Sequence, residues 1–329
     1  MRIKCILKKI YTPIALFSIA FTLPIETFAW SYTGHVLIAQ IAYDNLTPSE
    51  QVRANSLTQN IFYQLSLSQQ QELNTKYYSA SSFAKMALLP DVWKNWKLET
   101  LFQHYMAPLP QNLSPYAKYS TKTWHYVDNA YPNMQICSLP KPNITTILPL
   151  LETDLTLAKA NIDSAQAMHQ KEIAMNQAGL TLILVSHLVG DSHQPLHTFG
   201  KTNTYCQSDK GGNNFCLKLS KSGKCSKNLH QLWDNGVGFI KPKMNIEQTA
   251  YKLEHRYPIN SFDAKLLTNT NSLEWTTENM SLAPFVYDIS PNQPIKSDYY
   301  KEGQDMATRQ LALAGYRLAY ILKKSGLLN

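Results

Sequence analysis

The stretch Gly-Leu-Thr-Leu-Ile-Leu-Val-Ser-His-Leu-Val-Gly-Asp-Ser-His-Gln-Pro-Leu-His, residues 179–197, predicts both the centre of the fold and its chemistry. Its first half is almost wholly apolar, which is typical of a helix that is buried on nearly all sides. His187 and Asp191 follow at a spacing of four, so both side chains project from one helix face about one turn apart. We expect Pro195 to end this helix and His197 to lie near the same face.

A second His-x-x-x-Asp pair occurs further along the chain, in Asn-Leu-His-Gln-Leu-Trp-Asp at residues 228–234. A buried ionisable side chain is costly unless it has a partner, and one such pair alone would fit an ordinary capped helix end. Two pairs together with an additional histidine are typical of a site that binds several metal ions through nitrogen and oxygen ligands.

The composition predicts a folded protein, and the N-terminal segment predicts that it is exported. Of the 329 residues, 44% are hydrophobic and 16% are charged, which argues against a disordered chain. A basic N-terminus, a short apolar run and small residues at Thr27 and Ala29 predict a secretory signal peptide over residues 1–29, too short in its apolar part to span a membrane. Its removal would leave Trp30 at the start of a single domain, residues 30–329, and lower the net charge from +8 to +5.

The cysteine count predicts disulfides rather than a cysteine metal site. Four cysteines remain after the signal peptide: Cys137, Cys206, Cys216 and Cys225. An even number in an exported chain predicts two disulfides, for which three pairings are possible. We favour Cys206–Cys216, across a Gly211-Gly212 turn, and Cys137–Cys225. The chain has no Cys-x-x-Cys pair, so cysteine ligation of a metal is not expected.

The periodicity of the remaining chain predicts a mainly α fold, a single-domain α-helical bundle with long loops and at most a small β-hairpin. Residues 47–50, Thr-Pro-Ser-Glu, have the pattern of a capped helix start with proline in the first turn. A long final helix is predicted from Gln304 to Lys324. Apolar residues recur on one face of it, at Leu311, Ala314, Leu318 and Ile321. A turn at residues 210–213 would join the strands of the hairpin.

The chemistry-bearing motifs follow one another in a characteristic order. They are Trp30-x-x-x-x-His35, Pro90-Asp91, Trp124-His-Tyr-x-Asp128, the block from His187 to His197, Gly211-Gly212-Asn213 and Asn228-Leu-His-x-x-Trp-Asp234. The ordered set resembles the secreted zinc-dependent single-strand nucleases of the nuclease S-one/P-one family, whose more distant relatives are the bacterial zinc phospholipases C. The resemblance extends from Trp30 to residues 314–319 of the final helix.

The resemblance implies three zinc ions as cofactors. One zinc site would use Asp91, His125, His187 and one oxygen of Asp191. A second would use His197, His230 and Asp234. The third would use the amino group and carbonyl of Trp30, the ring of His35 and the other oxygen of Asp191. Three or four nitrogen and oxygen ligands with an open position suit zinc, and two metals that share a carboxylate can lie roughly 3.5–4 Å apart.

The resemblance also implies a substrate cleft beside the metals. Tyr126 would stack on a nucleobase, Asp128 would accept hydrogen bonds from the edge of that base, and Asn213 would border the cleft. The alternative for Tyr126 is an ordinary core aromatic. Catalytic roles are implied for three residues: Asp91, Asp191 and Lys94. Lys94 stands where fungal members carry arginine, and a lysine cannot form the two-pronged contact of an arginine with phosphate.

Some histidines and lysines lie outside these motifs. Four histidines, His104, His169, His193 and His255, are expected to be surface or supporting residues. Among them, His193 is the candidate for a supporting role, because it lies between two predicted ligands. Five lysines, Lys210, Lys218, Lys221, Lys224 and Lys227, would form either a basic rim for a phosphate backbone or a merely solvated loop.

The sequence therefore predicts an exported trinuclear-zinc phosphodiesterase that hydrolyses single-stranded DNA and RNA to 5′-phosphate products, with activity on 3′-nucleotides as well. Single strands are favoured because the base must leave its stack to enter the pocket. We expect a monomer without a membrane anchor, secreted or periplasmic. The alternatives are a zinc phospholipase C acting on phosphatidylcholine and a non-catalytic exported zinc-binding protein. The last ligand, Asp234, disfavours the first alternative, since the phospholipases use glutamate.

Overall fold

The computed structural model describes residues 30–132, 139, 141–219 and 222–329. The predicted signal peptide, residues 1–29, lies outside the described residues. The α-helices within them are α1 (Tyr32–Asp44), α2 (Pro48–Tyr63), α3 (Leu67–Lys76), α4 (Ser82–Met86), α5 (Leu89–Trp93), α6 (Leu98–His104), α7 (Ile144–Asp163), α8 (Met168–Asp191), α9 (Pro195–Thr198), α10 (Leu229–Asp234), α11 (Ile246–Arg256), α12 (Ala264–Thr268), α13 (Ser272–Met280), α14 (Ala283–Val286) and α15 (Ser297–Ser325). The strands are β1 (Asn129–Tyr131), β2 (Phe199–Lys201), β3 (Cys216–Leu219) and β4 (Cys225–Asn228).

Helix α8 is the central helix of the molecule. It packs against α7, α2, α1 and α15, and every residue from 178 to 200 is buried. Full burial of a leucine or isoleucine side chain contributes about 1.5–3 kcal/mol, so the apolar run of α8 makes this helix the centre of the core. By length and composition α8 could cross a membrane, but 78% of its most apolar window is buried inside the protein, as the core helix of a globular fold requires.

The other long helices surround α8 and bring distant parts of the chain to its C-terminal end. Helix α1 packs between α15, α4 and α11 and also contacts α8. Of its thirteen residues, ten are buried, including His35. Helix α5 contacts α8 as well, and its first turn holds Asp91. The packing of α1 and α5 therefore places two ionisable side chains beside the C-terminal half of α8.

The predicted fold class is confirmed, because the described residues form a mainly α structure with only small strand pairs. The start of α2 is capped as predicted: the Thr47 side chain accepts from the backbone of Glu50, and the Glu50 carboxylate accepts from the backbone of Thr47. The final helix exists but begins at Ser297, seven residues before the predicted start. All four residues of its predicted core stripe are buried.

The prediction that Pro195 ends the central helix is wrong. Helix α8 ends at Asp191, and Pro195 instead occupies the first position of the short helix α9. Proline is well suited to that position, because the first amide groups of a helix have no partner within it. Gln194 caps α9 by accepting a hydrogen bond from the amide of Leu196 at 2.6 Å. His197 thus lies on the separate short helix α9 and not on a continuation of α8.

The predicted hairpin forms at a different place. Residues 210–213 are not its turn, since the antiparallel strands are β3 and β4, which follow them. Gly211 and Gly212 have φ values of +58° and +78°, a region that glycine adopts without steric cost. This conformation allows the carbonyl of Gly211 to accept a hydrogen bond from the ring of His230. The two glycines therefore serve the candidate site rather than the hairpin.

The favoured disulfide pairings are wrong. Cys216 is bonded to Cys225, across the hairpin formed by β3 and β4. This bond excludes both Cys206–Cys216 and Cys137–Cys225. Cys137 itself lies outside the described residues. The bonded pair has Cα atoms 5.6 Å apart, which is a usual separation for a disulfide, and it joins the first residues of the two strands.

A second strand pair, which the sequence did not indicate, is parallel. Strand β1 pairs with β2, with Asn129 opposite Phe199 and Tyr131 opposite Lys201. Just before these strands, the amide of Val127 donates to the carbonyl of His197 at 2.8 Å. The pairing holds the aromatic block around residue 125 against the segment that follows α9.

Candidate metal centre

Asp191, the last residue of α8, lies at the centre of the predicted ligands and is completely buried. Its Oδ1 atom is 3.3 Å from Nε2 of His35. Its Oδ2 atom is 3.0 Å from Nδ1 of His125 and 3.2 Å from Nε2 of His187. The carboxylate thus turns one oxygen to His35 and the other to His125 and His187.

Asp91 completes the group around His125 and His187. Its Oδ1 atom is 3.8 Å from Nδ1 of His125 and 3.9 Å from Nε2 of His187, and its Oδ2 atom is 4.0 Å from Nε2 of His35. Two donors bonded at about 2.0–2.1 Å to one tetrahedral ion lie roughly 3.4 Å apart. The spacing of these ligand atoms is therefore suitable for a zinc ion between them.

A second group consists of His197, His230 and Asp234, all of them buried. Nε2 of His197 is 3.1 Å from Nε2 of His230, which is 3.6 Å from Oδ1 of Asp234. Backbone carbonyls hold both rings from behind: Nδ1 of His197 donates to the carbonyl of His125 at 2.6 Å, and Nδ1 of His230 donates to that of Gly211 at 2.6 Å. The two rings are fixed in orientation by groups outside the cluster.

The tautomers of this pair indicate a cation. Because Nδ1 of each ring donates to a carbonyl, the Nε2 atoms of His197 and His230 both carry lone pairs, and these face each other at 3.1 Å. Burial lowers the pKa of both rings, that of His230 to about 3 with a further contribution from His197. At neutral pH no proton lies between the two nitrogens. A metal ion at this position would convert the repulsion into coordination.

The carboxylates of the cluster have perturbed acidities. Burial would raise the pKa of Asp191, but the charge of His187 and the hydrogen bonds from His125 and His187 outweigh burial and hold it well below its usual value. Burial raises the pKa of Asp91 and, more strongly, that of Asp234. A metal ligand must be deprotonated, so a cation is the missing partner that would stabilise Asp91 and Asp234 as anions.

Several polar atoms in the cluster have no hydrogen-bond partner among the described residues. They include Nε2 of His35, Oδ2 of Asp91 and Oδ1 of Asp191. Buried polar atoms are nearly always paired, and an unpaired one calls for an explanation such as a bound ion. The donor set of imidazole nitrogens and carboxylate oxygens fits zinc.

Trp30 lies between the ends of the two helices that carry the His-x-x-x-Asp pairs. Its indole nitrogen donates to the carbonyl of Gly190 at 3.0 Å, and the side chain is completely buried. The amide of the next residue, Ser31, donates to the carbonyl of Asp234 at 2.9 Å. The backbone of Trp30 is thereby held next to both ligand groups.

Gly190 provides the space in which the His35 ring lies. A Cβ atom at this position would be 3.0 Å from Nδ1 of His35 and 3.3 Å from Cδ1 of Ile38. The His35 ring cannot retreat freely, because it is stacked on His187 with ring centroids 3.7 Å apart. The absence of a side chain at Gly190 is therefore a condition for the position of His35.

We expect Gly190→Ala to displace the His35 ring and to destabilise the protein by about 1–3 kcal/mol, the usual cost of overpacking a core. Alanine is a better helix former than glycine, so helix propensity alone would stabilise the variant by about 1 kcal/mol. A net loss of stability would therefore identify overpacking against His35 as the cause. The measurements are urea denaturation and zinc content by mass spectrometry after dialysis. A variant that is more stable than the wild type and binds as much zinc would show that His35 does not need this space.

Gln194 and Arg317, which the sequence analysis did not single out, and His193, which it did, support the candidate ligands from behind. Nε2 of Gln194 donates to Oδ1 of Asp234 at 2.6 Å and so joins the two ligand-bearing segments. His193 donates from Nδ1 to the carbonyl of Val189 at 2.7 Å and accepts at Nε2 from Arg317 at 2.9 Å. Arg317, on α15, also forms two hydrogen bonds of 2.8 Å with the carboxylate of Glu278. The expected supporting role of His193 thus has a physical basis.

Two of the predicted substrate residues, Tyr126 and Asp128, follow His125 in the chain, and the third, Asn213, lies in a separate loop. Tyr126 directly follows His125 and is half-buried, and burial raises the pKa of its hydroxyl, with a contribution from Asp128. Burial likewise raises the pKa of Asp128, which is hydrogen-bonded to Ser208. Asn213 is bonded through its side-chain amide to the carbonyl of Lys210 at 2.8 Å. Residues 208–213 therefore form a loop that contains Asn213 and is hydrogen-bonded to Asp128 through Ser208.

Lys94 lies at the C-terminal end of α5, one turn after Asp91, and is only 7% exposed. Its charge acts to lower the pKa of Asp91. Lys94 thus contributes positive charge to the surroundings of the Asp91 carboxylate.

The fold and the cluster define a helical protein built around a candidate polynuclear metal centre. The S1/P1 Nuclease family model matches residues 30–326, and the chain belongs to this family. Among curated proteins, Endonuclease 1 of Arabidopsis thaliana is 27% identical over 156 residues, which are 44% of this chain and 48% of that protein. Endonuclease 4 of the same plant is 26% identical over 161 residues, 44% of this chain and 49% of that protein. The chain spans about half the length of these relatives.

Proposed function

We propose that this protein is an exported phosphodiesterase with three zinc ions, which hydrolyses single-stranded DNA and RNA to 5′-phosphate products and also acts on 3′-nucleotides. Membership of the S1/P1 Nuclease family supports a nuclease. The observation that carries the proposal is the orientation of Asp191, whose Oδ1 atom faces His35 and whose Oδ2 atom faces His125 and His187 in one buried cluster. A carboxylate in that position is suited to hold two cations side by side.

The ligands divide into three sets under this proposal. The first set is Asp91, His125, His187 and Oδ2 of Asp191. The second is His197, His230 and Asp234. The third is the backbone of Trp30, the ring of His35 and Oδ1 of Asp191. The unpaired buried atoms and the facing lone pairs of the cluster support these assignments.

Bound zinc would act as a Lewis acid and lower the pKa of a coordinated water to about 7, which would yield a nucleophile at neutral pH. The protein fixes the geometry: the ring of His187 is held by a 2.7 Å hydrogen bond from its Nδ1 to the carbonyl of Ala87. Lys94 supplies a positive charge where the equatorial phosphate oxygens accumulate negative charge. No side chain is required as a nucleophile.

The specificity for single strands would come from the cleft beside His125. Tyr126 offers a half-buried ring on which a base can stack, and Asp128 and Asn213 offer polar atoms to the edge of that base. A base in a duplex is stacked and paired, so it must leave the helix to reach such a pocket, at a cost of a few kcal/mol.

The third ligand set requires that the chain begin at Trp30. An α-amino group is a ligand only when it is free, and its ordinary pKa of about 8 allows a dication to displace the proton. Cleavage of a signal peptide after Ala29 would produce this amine. The burial of Trp30 between Gly190 and Asp234 supports that role, and export would make the protein secreted or periplasmic.

The test is an assay of the purified protein on matched substrates, with its zinc content measured by mass spectrometry. We expect about three zinc ions per chain and hydrolysis of a single-stranded oligonucleotide. A duplex of the same sequence should be cleaved far more slowly, and exhaustive chelation should abolish activity. Hydrolysis of phosphatidylcholine but not of the oligonucleotide would support a phospholipase C instead. Bound zinc without hydrolysis of either substrate would indicate a non-catalytic zinc-binding protein.

A further inference from the structure

A strongly basic segment leads directly into the second ligand group. Between Asp209 and Asp234 the chain contains five lysines and no acidic residue. Four of these lysines, Lys210, Lys218, Lys224 and Lys227, are among the described residues. Lys210 precedes the hairpin of β3 and β4, and the other three lie on it. The hairpin therefore carries a concentrated positive charge in a protein with a net charge of +8.

The lysines of the hairpin are held close together. Lys218 on β3 and Lys227 on β4 are opposite each other in the strand register. Like charges that are directly opposite destabilise a strand pair, and the side chains of Lys218 and Lys224 are exposed. Among the described residues, no carboxylate forms an ion pair with any of the three. A bound polyanion would relieve this repulsion.

The two strands of the hairpin are tied to each other and to a neighbouring loop. The Cys216–Cys225 disulfide joins the first residues of β3 and β4, and the carbonyl of Cys216 accepts a hydrogen bond from the amide of Asn292 at 3.1 Å. The two strands are also joined by a side chain: the hydroxyl of Ser226 on β4 donates to the carbonyl of Lys218 on β3 at 2.9 Å. The positions of the ammonium groups are thus constrained at their backbone.

An aromatic ring lies beside the charges. The Nζ atom of Lys227 is 6.0 Å from the centre of the Tyr300 ring, and Tyr300 is only partly buried. Cations that follow a backbone and aromatic rings on which bases can stack are the two features of surfaces that bind single-stranded nucleic acid. The hairpin and the first turn of α15 combine both features.

The hairpin leads directly into the helix that carries two of the predicted metal ligands. Strand β4 ends at Asn228, which caps α10, and the ligands His230 and Asp234 belong to that helix. Lys227 precedes His230 by three residues, so its Cα atom is within about 10 Å of that ligand. The distance corresponds to only a few nucleotides of a single strand.

We propose that the hairpin formed by β3 and β4 binds the sugar-phosphate backbone of a single-stranded nucleic acid beyond the scissile bond, through Lys218, Lys224 and Lys227, with Tyr300 as a stacking surface. This inference rests on the proposed nuclease function and extends it to the choice of substrate. A strand of many nucleotides reaches the hairpin, whereas a dinucleotide in the metal centre does not. The protein should therefore favour long strands through binding rather than through the rate of the chemical step.

The test compares a triple variant, Lys218→Gln, Lys224→Gln and Lys227→Gln, with a control triple variant. The control carries Lys243→Gln, Lys252→Gln and Lys265→Gln, which removes the same charge from exposed positions elsewhere. Binding of a fluorescent 20-nucleotide strand is measured without metal, in a chelator, as a function of salt. Kinetic constants are then measured with zinc on the 20-nucleotide strand and on a dinucleotide.

We expect the hairpin variant to reduce the slope of log affinity against log salt by about 2, since each phosphate contact contributes about 0.7 for a single strand. Its KM for the long strand should rise roughly tenfold, with kcat and the constants for the dinucleotide unchanged. The control should match the wild type. An unaltered slope and KM in the hairpin variant would overturn the inference, as would binding of the hairpin to phosphatidylserine vesicles but not to the strand. If the wild type cleaves neither substrate, the proposed function fails, while the metal-free binding still decides the role of the hairpin.

Discussion

Replacement of Asp191 by asparagine is expected to lower kcat on a single-stranded oligonucleotide by more than about 100-fold and to release zinc. Loss of a residue that merely supports a metal ligand typically costs 10–100-fold in metal affinity or activity, and Asp191 is proposed to touch two metals itself. Asparagine has nearly the same shape, but it carries no charge and presents one oxygen instead of two. Either His35 or the pair of His125 and His187 would therefore lose its anionic partner.

The measurements are zinc content by mass spectrometry, steady-state kinetics and circular dichroism. A matched control is Asp163→Asn, which removes an exposed carboxylate that is paired with Lys159 at the end of α7. We expect the control to keep its zinc and its kcat, and both variants to remain helical. An Asp191→Asn protein with a full complement of zinc and the kcat of the wild type would refute the shared-carboxylate arrangement.

Replacement of Arg317 by methionine is expected to lower the free energy of unfolding by about 3 kcal/mol, which is the low end of the cost of removing one partner from a buried ion pair. The low end applies because Arg317 is buried but the side chain of Glu278 is 32% exposed. The substitution would also remove the donors to His193 and to the carbonyl of Leu266. Methionine fills much of the vacated volume, so the decrease in the free energy of unfolding would come mainly from lost polar contacts rather than from a cavity.

Arg309→Met is a suitable control, because Arg309 is an exposed arginine on the same helix and lies over the ring of Phe262. Both variants and the wild type are compared by urea denaturation at the same zinc concentration. We expect the double variant Arg317→Met, Glu278→Gln to recover part of the loss, since it leaves no partly buried carboxylate at position 278 without its arginine partner. A change below 1 kcal/mol in Arg317→Met would show that this network does not stabilise the segment between Asp191 and His197.

Local patterns in the sequence predict many of the helices and the candidate ligands that lie on them. The capped start of α2 and the apolar stripe of α15 depend on residues a few positions apart, and such spacing can be recognised directly in the sequence. The end of α8 was predicted at Pro195 because proline interrupts helices, yet proline is equally suited to begin one. The sequence pattern alone could not decide between these two roles.

Contacts between distant segments were harder to predict. Cys216 has three potential partners in the chain after the signal peptide, and only the register of the hairpin brings Cys225 next to it. Gln194 and Asp234 are 40 residues apart, and Arg317 lies 124 residues from His193. One signal was available for Arg317: it lies within an apolar stretch of α15, and a charged residue at such a position requires a buried partner.

The unbroken burial of residues 178–200 has a consequence for how the protein fails when it is heated. Amide groups in such a segment exchange their protons with solvent only when much of the molecule opens. The C-terminal end of the carboxylate-bearing helix and the turn after it belong to the last part of the structure to loosen. Thermal inactivation should then coincide with global melting, with no intermediate that keeps its core and has lost only its ligands.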